Sequence, residues 1–196
     1  MGKIESLQVG NARQEVILMT ALKLFTGRGY FNTSVHDIQR DAGVSIGSIY
    51  HHFKNKEAIA KALYDLLVED MSVAMEEIIR KHATAHDRCR AVVAYLFAAT
   101  EANPAAMQYM LYAKHREFMP DEKPVCSSRP FELMKQMVVE GIERGEIRDY
   151  PPYIAATSIF GGAIRMVYLR LDGVLADALP DVLESVWECA WRSAAV

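Results

Sequence analysis

Ser34-Val-His-Asp-Ile-Gln-Arg-Asp-Ala-Gly-Val-Ser-Ile-Gly-Ser-Ile-Tyr-His-His-Phe-Lys-Asn-Lys56 is the stretch whose reading decides the fold. Ser34 stands three residues before Asp37, the spacing of a capping box that opens a helix. Val35 and Ile38 give that helix an apolar face. Ala42-Gly43 ends it, because glycine accepts the left-handed conformation of a sharp turn. Ser45 then caps a second helix through Tyr50 to Phe53. Two short helices joined by a tight turn containing glycine form a helix-turn-helix, whose second helix enters the major groove of DNA.

Outward from this stretch, helical spacing continues in both directions. Before it, Ile17, Leu18, Ala21, Leu24 and Phe25 form a buried stripe on a helix from about Asn11 to Gly29, after a lead-in over residues 1–10. Tyr30 and Phe31 are expected to pack at the corner that follows. After it, Asn55 caps a long helix to about His82, with Ile59, Leu63, Leu66, Leu67, Met71, Met75 and Ile78 on one face. Further helices are expected from about Asp87 to Glu101, Pro104 to Phe118, Phe131 to Arg144, Pro152 to Leu171 and from Pro180 to the end. Residues 119–130, with three prolines, read as a loop. No Val/Thr-rich alternation suggests a sheet, so the class is all-α, with about nine helices.

The chain of 196 residues carries a net charge of −3. Its distribution is uneven: seven Lys/Arg against four Asp/Glu in residues 1–56, and fifteen against twenty-one in residues 57–196. A basic head on an acidic body suits a chain that offers one end to a polyanion. The three cysteines, Cys89, Cys126 and Cys189, are widely spaced and form no C-x-x-C, which indicates neither a zinc site nor a disulfide framework. Reduced thiols, no signal-peptide pattern and no uninterrupted apolar run of membrane-spanning length make a cytoplasmic protein without a membrane partner the expectation. Neither metal nor cofactor is expected. The adjacent His51-His52 point about 100° apart on a helix, a poor chelate. No Gly-rich phosphate loop, G-x-S-x-G or H-E-x-x-H supports an enzyme, and a helix-turn-helix used only for protein contacts is the other alternative.

Residues 13–57 resemble the TetR family of bacterial transcriptional repressors. The resemblance rests on Arg13, Ile17, Leu18, Ala21, Leu24-Phe25, Gly29-Tyr30, Thr33-Ser34-Val35, Asp37-Ile38, Ala42-Gly43-Val44-Ser45, Gly47-Ser48-Ile49-Tyr50, His52-Phe53 and Lys56-Glu57. It implies a DNA-binding domain over residues 1–56 and a ligand-binding and dimerisation domain over residues 57–196. It further implies a homodimer on a palindromic double-stranded operator, released by a small-molecule effector. Ile46 departs from the family's commonest pattern, where a basic or polar residue is frequent.

The residue chemistry agrees with a DNA-facing group of Thr33, Ser34, Ser45, Ile46, Gly47, Ser48, Tyr50, His51 and Lys56. Gly47 permits close backbone approach, Ser48 and Tyr50 carry hydroxyls for phosphates or base edges, and Ile46 suits a thymine methyl. Lys56 at a helix start, with Thr33 and Ser34, suits phosphate. The body is rich in soft and aromatic side chains. Its pocket candidates are Tyr95, Met107, Met110, Tyr112, Lys114, His115, Phe118, Met137, Phe160, Arg165 and Met166. Arg165 interrupts an apolar run and needs a partner: a ligand acid, a protein carboxylate or solvent at a dimer edge. Cys126, near Lys123 and Arg129, offers a redox-sensing alternative. Gly161, Gly162, Leu183, Trp187 and Trp191 are the candidates for a two-fold interface.

Overall fold

A computed structural model describes residues 12–113, 115–121 and 124–196, and of His115 and Arg116 only the backbone. The described chain is helical, with one isolated β-bridge between Ile147 and Ala195. The elements are α1 (Ala12–Arg28), α2 (Val35–Ala42), α3 (Ile46–His52), α4 (Lys56–Lys81), α5 (Ala85–Ala102), α6 (Pro104–Tyr112), α7 (His115–Phe118), α8 (Arg129–Glu143), α9 (Pro152–Leu171) and α10 (Leu183–Ala194). Nine of these exceed a single turn, and α7 is a four-residue turn of helix. Short 3₁₀ turns over Val125–Ser127 and Leu179–Val182 complete the described helical set.

The single helix expected from Pro104 to Phe118 is two. Met110 and Phe118 lie eight residues apart, so one continuous helix would carry both on one stripe. The break instead lets the Phe118 ring stack on Tyr30, with centroids 3.9 Å apart. The lead-in over residues 1–10 and Asn11 lie outside the described residues.

The chain divides into two compact units. The first comprises the residues up to Asp70 together with Ala105–Val125, and the second Met71–Pro104 with Cys126–Val196. This differs from a boundary at residue 56. The apolar face of α4 is shared along its length, and α6 carries Tyr109 and Met110 into the first unit's core. There they join Ile17, Leu18, Leu22, Phe25, Ile38, Ile49, Phe53, Ile59 and Leu63. Tyr109 donates its hydroxyl to the Ala60 carbonyl at 3.1 Å, so its burial leaves no orphaned polar atom.

In the second unit, α5 packs against α8, α9 and α10. Thr84 caps α5 by accepting from the Asp87 amide, and the Glu146 carboxylate accepts from the Ala85 amide at 2.7 Å. The acid meets the free N–H groups and positive end of the helix. Gly141 makes a close approach there: a Cβ at this position would lie 2.6 Å from both Ala85 Cβ and Ile147 Cδ1. Arg170 pairs with Glu101, whose second role is to accept from the Leu179 amide. α9 is long and apolar enough to cross a membrane by length and composition alone, but Thr157, Ser158 and Arg165 interrupt its apolar run. Its inner face, Ala155, Ile159, Phe160, Ala163 and Val167, is buried within the second unit.

Candidate nucleic-acid interface

The helix-turn-helix is held by reciprocal capping. The Ser34 hydroxyl accepts from the Asp37 amide, and the Asp37 carboxylate accepts from the Ser34 amide at 2.9 Å. Asp37 also pairs with Arg40 at 2.8 Å. Hydrogen bonds from Ser34, reinforced by Arg40, hold the Asp37 carboxyl down at a pKa of about 2. Gly43 adopts φ +65°, the left-handed turn that stops α2. Ser45 accepts from the Ser48 amide at 3.1 Å and starts α3. Ile49 and Phe53 anchor α3 in the core, 0% and 4% exposed.

With that side fixed, the other face of α3 is presented to solvent. Gly47, Tyr50 and His51 are exposed, while Ile46 and Ser48 are half-buried. Tyr50 is 54% exposed. A Cβ at Gly47 would meet only Ser45 Oγ at 4.0 Å, so the site is open to a close partner. Ser34 and Ser45 are exposed but already engaged as caps.

Two of the expected phosphate contacts are corrected. Thr33 is 2% exposed, and its hydroxyl donates to the Gly29 carbonyl at 2.9 Å, so it fixes the α1–α2 corner. Lys56 turns inward: its Nζ donates to the carbonyls of Tyr30 and Thr33, each at 3.0 Å, and lies 4.1 Å from the Tyr30 ring centroid. Two carbonyl dipoles and an aromatic face hold the ammonium better than an exposed helix start would. Phe31 packs edge-on against Tyr30 and Phe118, as expected at the corner, while 66% of it stays exposed. Lys54, not among the expected contacts, is exposed just beyond the end of α3.

The pocket candidates separate. Tyr112 and Phe118 line a cavity of about 340 Å³ in the first unit, with Phe25, Tyr30, Phe31 and Tyr109. They therefore belong with the DNA-binding end, not the body. Met107 and Met110 are buried, Met110 within the first unit's core. Lys114 lies outside the described residues, as does the side chain of His115. In the second unit, Phe160 alone of the candidates lines a cavity of about 360 Å³, with Phe131, Met134, Ile164, Tyr153 and Lys135 among its walls. Met137 is 1% exposed and is core. Tyr95 and Met166 are half-buried and line neither cavity. Arg165 is exposed, which removes the pocket reading that its position in an apolar run suggested.

Cys126 is exposed and reaches the wall of the second cavity. Arg129, expected to act on it, pairs with Glu76, and Lys123 lies outside the described residues. Cys89 is buried, which pushes its thiol up to about 12 and leaves it unreactive. Among the described residues no group of three metal-binding side chains occurs.

Of the interface candidates, Trp187 is 4% exposed and donates its indole N–H to His86 Nε2 at 3.2 Å within its own chain. Trp191 stacks on Trp187 with centroids 5.4 Å apart. The large anchors are thus used internally. Leu183 and Gly161 are half-buried and Gly162 is exposed, near exposed Ile154 and Arg165 on α9.

Comparison with known proteins places this geometry. Residues 17–63 match the family model described as bacterial regulatory proteins, tetR family. The chain is 30% identical over 149 residues to the fatty acid metabolism regulator protein of Bacillus subtilis (strain 168), covering 74% of this chain and 76% of the relative. It is 30% identical over 106 residues to the transcriptional repressor KstR2 of Rhodococcus jostii (strain RHA1), covering 54% and 52%. The crystal structure of FadR from Bacillus subtilis in complex with stearoyl-CoA superposes with a TM-score of 0.76 at 25% identity, covering 89% of this chain and 96% of that one.

Proposed function

Because the chain belongs to the TetR family and is a DNA-binding transcription regulator rather than an enzyme, we propose that it works as a homodimeric cytoplasmic repressor of a palindromic operator. Its two α3 helices enter successive major grooves, and a small, largely apolar effector in the second unit releases them. The observation that carries the reading is α3 itself: a capped helix, pinned by Ile49 and Phe53, that leaves Gly47, Tyr50 and His51 exposed.

The second-unit cavity supports an effector with an apolar tail and an anionic head. Phe131, Met134, Phe160 and Ile164 supply apolar wall, and Lys135, resting on the Tyr153 ring, supplies a cation in a lining that also holds the Glu132 carboxylate. Its volume of about 360 Å³ lies at the lower end of the range for small-molecule sites. The FadR complex makes long-chain acyl-CoA the class to try first.

The test is fluorescence anisotropy of the purified protein on DNA flanking its own coding region, with unrelated DNA as competitor. Specific binding that weakens steeply with salt is expected, followed by release on titration with stearoyl-CoA but not free coenzyme A. Equal affinity for operator and competitor DNA would refute the repressor reading. Operator binding indifferent to the acyl thioester would refute the effector class alone.

A further inference from the structure

The first unit holds a cavity that the regulator reading does not use. Six rings wall it: Phe25, Tyr30, Phe31, Tyr109, Tyr112 and Phe118. Gln108 adds an amide, Thr26 a hydroxyl and the exposed Glu117 a carboxylate, so a ligand hydroxyl finds acceptors there. The volume of about 340 Å³ is that of a small-molecule site. The hollow is open to solvent, with Phe31 66% exposed, and its apolar wall gains when a ligand displaces water from it. The ring-rich wall gives large contact area at fixed geometry, which favours offset or edge-to-face packing of another ring.

We propose that this cavity binds a small, neutral aromatic molecule bearing one polar group, at a site inside the DNA-binding unit and separate from the effector cavity. Tyr30 links occupancy to the helix-turn-helix. One side of its environment is the Phe118 stack, and the Lys56 ammonium lies over its ring. Lys56 in turn holds the carbonyls of Tyr30 and Thr33, immediately before the Ser34 cap of α2. A ring inserted beside Phe118 competes with that stack and so bears directly on the corner that orients α2 and α3. The consequence for DNA rests on the regulator reading, whereas binding itself does not.

The probe is 6-bromo-2-naphthol. Crystals soaked with it should show a bromine anomalous peak among Phe31, Tyr112 and Phe118. Calorimetry in solution, without DNA, should give a binding heat that Ala113→Leu, which fills the cavity from its wall, weakens at least tenfold. Ala156→Leu, in the second-unit cavity, should leave it within twofold. A bromine peak confined to other places, or loss of affinity in Ala156→Leu with none in Ala113→Leu, overturns the proposal. The soak stands alone if Ala113→Leu does not fold. If binding is confirmed, anisotropy with operator DNA reads the coupling separately.

Discussion

Lys54 and Lys56 stand two residues apart and do opposite things. Lys56 gives its charge to two carbonyls and a ring inside the protein, whereas Lys54 is exposed beside α3. Lys56→Met should therefore destabilise the first unit by about 2 kcal/mol through lost charge-assisted hydrogen bonds. Lys54→Ala should leave the melting temperature alone and lower the salt slope of operator binding by about one phosphate contact. Thermal melts and a salt titration of both variants decide it, and a Lys56→Met protein that melts like wild type but loses salt slope would reverse the assignment. Asp37 gives a pH signature. Its folded pKa of about 2 lies below the ordinary 3.8, so the ionised carboxylate stabilises α2 at neutral pH. That contribution is lost as pH falls from 3.8 towards about 2. Asp37→Asn should melt lower at pH 7 and flatten the melting-temperature curve across that window. Parallel curves for the two proteins would exclude the capping box as the source. At this scale the caps were legible because Ser34, Asp37 and Ser45 interact within three residues of chain. Thr33 and Lys56 were not, because a hydroxyl and an ammonium suit a phosphate and a backbone carbonyl equally well.

At the scale of elements, close approach between helices is set by what is missing as much as by what is present. Gly141 on α8 leaves room for Ala85 at the start of α5 and for Ile147. Ile147 Cδ1 is the end of a flexible side chain and can shift, but Ala85 Cβ moves only with its backbone. Gly141→Ala should cost about 1–3 kcal/mol despite alanine's better helix propensity. A thermal melt that is unchanged or raised would show that α5 yields freely. On α3, Tyr50→Ala and His51→Ala should each weaken specific binding by about 1–3 kcal/mol without changing the melt, as surface residues do when their partner is DNA. Loss of stability together with affinity would mean they serve the fold instead. The existence and order of the long helices could be read from apolar spacing. The break between α6 and α7 could not, since Met110 and Phe118 fit one stripe, and the ring that draws Phe118 away is Tyr30, distant in sequence. The same limit hid Trp187: an apolar stripe on α10 looks alike whether its partner is α5 of its own chain or a second copy.

For the whole molecule, α9 is the helix with one face filled and one face bare. Its inner face is filled by its own unit, yet Ile154 is 56% exposed, and Gly162 and Arg165 are exposed on successive turns. Helical spacing puts Ile154, Gly162 and Arg165 on one face, and a glycine there permits a second helix to approach closely. With Trp187 used internally, the proposed two-fold contact must rest on this flatter surface rather than on large anchors. Gly162 is a clean place to test it. A Cβ at Gly162 meets nothing within 4 Å, so a side chain there leaves the chain's own packing intact. Gly162→Lys also adds positive charge one turn from Arg165, and in a two-fold contact that charge is doubled and desolvated. The variant should keep its melting profile at low concentration, sediment as a monomer and lose at least a hundredfold in operator affinity, because two linked heads no longer bind as one ligand. Val174→Lys, at an exposed position after α9, should remain dimeric and bind normally. If Gly162→Lys still sediments as a dimer with wild-type affinity, the interface lies on another face. If it is monomeric yet binds the operator undiminished, paired heads are not what gives the protein its grip on DNA.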